Sequence, residues 1–220
     1  MQQLLHPLPI RITHWINAVA IFVMIGSGWK IYNDDVIFGW LHFPESITIG
    51  KYAQNGLQWH FFVMWILVLN GLTYLTYGLV TGRFRRMLVP IRLGELAATI
   101  KDALRFRLAH DDPTKYNAVQ KLLYIGVILL GVMIVISGLA IWQPIQFSEL
   151  LAVFGGSFQT ARLVHFLCMT GIVLFIIVHV SLALLVPQTL VAMVTGGPVI
   201  SDRHQPAYPD NLNQRVERTP

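Results

Sequence analysis

The sequence predicts an all-α integral membrane protein: a four-helix bundle of antiparallel spans forming one domain over residues 1–200, followed by a polar tail at 201–220. Three observations predict it. Of the 220 residues, 55% are hydrophobic and 12% are charged, a balance outside that of soluble globular domains. Four apolar runs, at about 13–32, 58–80, 119–142 and 162–186, each reach the ~20 residues that a helix needs to cross a ~30 Å hydrocarbon core. Basic residues crowd into one link between these runs, the kind of asymmetry that orients a multi-pass chain.

The first run is too long and too aromatic for a cleaved signal peptide, and it is followed by no small-residue cleavage site, so it reads as a retained span. The link between the second and third runs, 81–118, holds Arg83, Arg85, Arg86, Arg92, Lys101, Arg105, Arg107 and Lys115 against four acidic residues. That side is expected to be cytoplasmic. The links at 33–57 and 143–161 carry Asp34, Asp35, Glu45 and Glu149 with Lys51 as their one strong base, so they face outward and both termini lie inside. Within the basic link, Leu93, Leu96, Ala97, Ile100, Leu104 and Leu108 recur at helical spacing, which predicts an amphipathic helix over 91–108 on the cytoplasmic surface. Because the basic excess lies on one membrane face, it implies contact with anionic lipid and not with nucleic acid. The tail, with Pro206, Pro209 and Pro220, has no pattern that would fix a structure.

On this topology the histidines within the spans sort by depth. His14 stands at the inner end of span one and His60 at the outer end of span two; His165 and His179 stand at the outer end and toward the inner end of span four. Fourteen residues between His165 and His179 are nearly four helical turns, which sets them within ~40° of one face and ~21 Å apart along the axis. Each leaflet thus receives two imidazoles. A lone histidine in a span is ordinarily a hydrogen-bonded core residue or a proton-relay member. Four that pair by depth are explained together by two bis-histidine haem sites stacked across the bilayer, His60 with His165 outside and His14 with His179 inside. Zinc or copper competes as a ligand, but neither depth supplies a third or fourth donor and Cys168 stands alone. Haem b fits, because no Cys-x-x-Cys-His is present for covalent attachment. His6 precedes the first span and need not be a ligand, and His42, His110 and His204 fall in links or tail, where solvation is the simpler reading.

Two further features bear on that site. RITH (11–14) and RLVH (162–165) each place an arginine one turn to the water side of a candidate ligand, so Arg11 and Arg162 are candidates to pair with haem propionates; interfacial snorkelling is the alternative. Gly28 and Gly71 lie near the faces of His14 and His60 at the opposite depths, where a porphyrin held by other helices needs room. Close helix packing accounts for glycines equally well.

The histidine pattern over spans one, two and four resembles the bacterial cytochrome b561 family, which includes the cytochrome b subunits of nickel-iron hydrogenases and membrane-bound formate dehydrogenases. The resemblance covers about residues 6–197 and implies a location in the bacterial inner membrane. Its most specific local piece, KYNAVQK (115–121) before a span ending in IWQP (141–144), is similar to the formate dehydrogenase gamma subunit, where this region lies at a quinone pocket. That resemblance makes Asn117 and Gln120 candidate quinone contacts. As two amides three residues apart at the inner start of span three, they can also face one cavity by helix geometry, or simply begin a helix at the interface.

Two haems at different depths, neither with an open iron position, imply an electron conduit across the membrane, with quinone exchanging electrons at the inner site. The chain has no dinucleotide fingerprint, cysteine-rich cluster site or hydrolytic constellation, so the outer partner is expected to be a separate redox subunit. The resemblance implies a periplasmic molybdopterin oxidoreductase, a hydrogenase or a cytochrome c, with the first favoured. Two other functions stay open: a self-contained superoxide:quinone oxidoreductase, against which the acidic outer links count, and a haem-containing anchor without quinone turnover.

Overall fold

The computed structural model describes residues 2–4, 6–82, 84, 118–197 and 199–201. Four helices in it are long and apolar enough to cross a membrane: α1 (Leu8–Asp34), α2 (Ala53–Val80), α3 (Ala118–Trp142) and, after the short helix α4 (Ser148–Val153), α5 (Phe158–Leu185). The last helix among the described residues, α6, spans Pro187–Thr195. The expected all-α membrane bundle is therefore present. Three of the four long helices run several residues beyond the apolar runs in the sequence, because a helix of 28 residues is about 42 Å long and continues past the hydrocarbon core into the interface. The amphipathic segment at 91–108, Asn117 and the tail from residue 202 lie outside the described residues.

Local sequence sets the helix ends. Pro7 and Pro9 open α1, where the first turn has no use for the missing N–H. The Ser157 side chain accepts from the Thr160 N–H at 3.2 Å and caps α5. Gly155 and Gly156, both left-handed at φ 68° and 69°, make the sharp return from α4 into α5 that a side-chain-bearing residue resists. Pro187 begins α6 immediately after α5 stops at Val186.

Backbone packing divides the bundle into two hairpins, α1 against α2 and α3 against α5, and no close packing of comparable extent joins one hairpin to the other among the described residues. Side chains make the crossing instead. Tyr32 stacks on Phe166 with ring centroids 4.9 Å apart, and Phe61 and Trp65 both meet Trp142. A small apolar core of Ala140, Phe154 and Ala161 closes the α3–α4–α5 end.

The α1–α2 link folds back over the end of α1. Asn33 bonds both the N–H and the carbonyl of Phe43, Lys30 pairs with Glu45 at 2.7 Å, and the Ile49 N–H donates to the Gly26 carbonyl at 2.9 Å. At the opposite end, two three-residue strands, β1 (Gln2–Leu4) and β2 (Val199–Ser201), pair antiparallel. The His6 N–H donates to Gly196 and the Arg11 guanidinium to Val194, so the start of α1 and the end of α6 share one side of the membrane.

Candidate cofactor site between two helix hairpins

The four span histidines come together as two pairs at two levels, each bridging the hairpins. His14 of α1 faces His179 of α5 with ring centroids 6.0 Å apart; His60 of α2 faces His165 of α5 at 6.4 Å. Both pairs are inclined at 62°. A metal-bound imidazole nitrogen lies about 2.0–2.1 Å from the metal and about 1.1 Å from its ring centroid, so two imidazoles on opposite sides of one metal stand about 6 Å apart. Both spacings match that requirement. Direct ring packing at such distances is also ordinary, but a pair at each of two levels, between hairpins whose backbones stay apart, is the arrangement a bis-histidine cofactor needs. No group of three or more histidine, cysteine or acidic side chains able to hold a bare metal ion occurs among the described residues.

The level of His60 and His165 is the more enclosed, and the sequence hid its supporting residues. Ser27 Oγ lies 3.0 Å from His60 Nδ1, and Ser137 Oγ lies 3.1 Å from His165 Nδ1; both serines are fully buried. The residue after each serine is a glycine against the same ring: a Cβ on Gly28 would sit 3.5 Å from His60 Cε1, and one on Gly138 would sit 3.2 Å from His165 Cε1. The dipeptide Ser-Gly, found inside two apolar runs at 27–28 and 137–138, was the available signal. At the other level, Trp15 meets the His14 ring edge-on, Phe175 stacks on His179, and His179 is exposed.

A second polar group missed in the sequence joins α1 to α2 beside His14. The Asn70 amide donates to the Thr13 carbonyl and to Asn17 Oδ1, both at 2.7 Å. Gly71 follows it, and a Cβ there would meet nothing within 4 Å.

The two candidate arginines differ. Arg162 is engaged within the protein, with Asp35 Oδ2 at 2.7 Å, Gln159 Oε1 at 2.9 Å and the Asp35 carbonyl. Arg11 donates to Val194, while its Nε is buried without a partner among the described residues, which leaves a donor for an acid group one turn from His14. Gln120 lies in the first turn of α3, and Asn117 lies outside the described residues.

Comparisons with known proteins identify the family. The prokaryotic cytochrome b561 family matches residues 5–196. A protein of Azospira oryzae named putative protein-methionine-sulfoxide reductase subunit YedZ1 is 41% identical over 192 residues, covering 87% of this chain and 96% of its own. The chain belongs to the prokaryotic cytochrome b561 family and is a multi-pass bacterial membrane protein that binds haem b for electron transfer.

Proposed function

We propose that the chain binds two b haems, His60 with His165 at the outer level and His14 with His179 at the inner level, and links membrane quinone to an oxidoreductase on the outer face. The observation that carries this reading is the pair of imidazole-to-imidazole spacings, 6.0 and 6.4 Å, repeated at two levels between hairpins whose backbones stay apart. Each bound haem supplies a reversible one-electron carrier.

The protein's own groups hold the rings and set the surroundings. α5 contributes one ligand to each level, so a single rigid helix fixes the distance between the sites. Arg11, whose Nε has no partner among the described residues, would bind a propionate at the inner level, and Arg162 would do so at the outer level in exchange with Asp35. Orientation follows from the basic link at 81–118, which favours the His14 level as cytoplasmic in the inner membrane with both termini inside. Asn117 and Gln120, at the inner end of the third apolar run in the sequence, are then on the inner side, where amides can hydrogen-bond the two carbonyl oxygens of a quinone.

The Azospira oryzae relative, named as a putative subunit of a protein-methionine-sulfoxide reductase, supports an outer partner that takes electrons; a molybdopterin oxidoreductase is the partner class that the family resemblance favours. Quinol then gives up two electrons and two protons, and the partner spends two electrons and two protons to turn a sulfoxide into a thioether and water. A pyridine haemochrome assay on the purified protein tests the haem count. Two haems b per chain, with His60→Ala and His179→Ala each losing one, is the expected result; one haem or none in a folded preparation would overturn the reading.

A further inference from the structure

Ser27 and Ser137 repeat one device on the two hairpins. Each sits on the first long helix of its hairpin and reaches the histidine of the second: Ser27 of α1 to His60 of α2, and Ser137 of α3 to His165 of α5. Their hydroxyl protons are already committed. Ser27 Oγ lies 2.7 Å from the Val23 carbonyl and 3.2 Å from that of Met24; Ser137 Oγ lies 2.8 Å from Met133 and 3.2 Å from Ile134. A carbonyl only accepts, so each hydroxyl donates along its own helix and presents a lone pair to the imidazole.

That lone pair makes Nδ1 the protonated ring nitrogen. His165 shows it a second way, because its Nδ1 is also 3.1 Å from the Ile134 carbonyl, which has no proton to give. In a neutral imidazole with Nδ1 protonated, Nε2 carries the free lone pair and is the atom able to bind a metal. Both serines are 0% exposed, so water does not replace either contact. At the other level, no hydrogen bond to a described residue reaches a ring nitrogen of His14 or His179.

We propose that Ser27 and Ser137 are positioning residues: by accepting from Nδ1 of His60 and His165 they hold both rings in the ligating tautomer and depress the midpoint potential of the haem at that level. The inference rests on the ligation proposed above. A hydrogen bond from Nδ1 makes a ligating imidazole more basic, and a more basic ligand favours the oxidised iron. Serine removal must therefore move the potential upward, at one haem only.

The test is a potentiometric titration, with low-temperature electron paramagnetic resonance, of purified wild type, Ser27→Ala, Ser137→Ala, the double variant and the matching Ser→Thr variants. Haem content is measured first, and His60→Ala marks which signal belongs to this level. Each Ser→Ala change should raise the midpoint of the haem lost in His60→Ala and alter its resonance, the double variant more than either single one. The other haem should not move. Threonine, whose hydroxyl also bonds back along a helix, should restore both readouts. Loss of that haem in the alanine variants but not in the threonine variants would support the same role. Unchanged midpoints and spectra in alanine variants retaining both haems would overturn the proposal, as would haem loss in alanine and threonine variants alike. Fewer than two haems in wild type would instead show that the ligation reading had failed, and would remove this inference with it.

Discussion

Asn70 of α2 donates its side-chain amide to the backbone carbonyl of Thr13, at 2.7 Å, one residue before His14. Asn17, one turn further along α1, accepts the same amide at 2.7 Å. The Thr13 hydroxyl is meanwhile turned back onto Pro9 and Ile10. The α1–α2 register beside His14 is thus held by a polar contact inside the apolar span, and polar contacts between membrane helices stabilise by about 0.6–1.7 kcal/mol each.

Replacing Asn70 with leucine removes both bonds and leaves the half-buried Asn17 oxygen without this donor. We expect a loss of about 1–2 kcal/mol in detergent stability, read as a lower temperature for loss of haem absorbance. The effect should fall first on the haem that His179→Ala removes. Equal loss from both levels would show that Asn70 supports the fold generally and not the setting of His14.

The Asn70 contact also shows where sequence reading ended. The four spans were legible because each needs only length and apolarity, and the histidine pairs because α5 carries both partners fourteen residues apart on one helix. Which way α1 and α3 are rotated about their own axes is a different question. Ser27 and Ser137 carry no sequence signal beyond a hydroxyl inside an apolar run, and in the structure both bond back along their own helix. Only the packed hairpins show that their remaining lone pairs meet His60 and His165. Arg162 was legible as a base beside a histidine, whereas its partner Asp35 depends on how the α1–α2 link folds, and no periodicity encodes that.

Gly138 tests how tightly the His165 ring is held. A Cβ at this position would lie 3.2 Å from His165 Cε1, close enough that the ring must shift by a few tenths of an ångström. Gly138→Ala is expected to keep both haems with an altered spectrum at one. Gly138→Leu, which adds volume the ring has no room to yield to, should lose that haem while sparing the one at the His14 level. A leucine variant with both haems and wild-type spectra would mean that His165 is free to turn away from α3.

Arg162 separates two roles by their signs. Its side chain is 16% exposed and that of Asp35 is 73% exposed, so as a mere fastener of the link the pair contributes no more than about 1 kcal/mol. Asp35→Asn should therefore change thermal stability little. If Arg162 also binds a propionate, Arg162→Leu removes a positive charge that favours the reduced iron, and the midpoint of the His60-level haem should fall. A small stability change without any fall in potential would assign Arg162 to the link alone.

Quinone exchange is tested at the start of α3. Asn117→Leu and Gln120→Leu each remove an amide able to bond a quinone carbonyl and leave all four histidines in the chain, so both variants should retain the haem content and midpoint potentials of wild type. Reduction of those haems by added quinol should slow, by about tenfold for each hydrogen bond worth 1.4 kcal/mol to the bound quinol. The double variant should be slower still, while reduction by dithionite, which needs no quinone pocket, stays fast. Wild-type quinol rates in the double variant would move quinone exchange away from this end of α3, and would favour a haem-bearing membrane subunit whose electrons enter by another route.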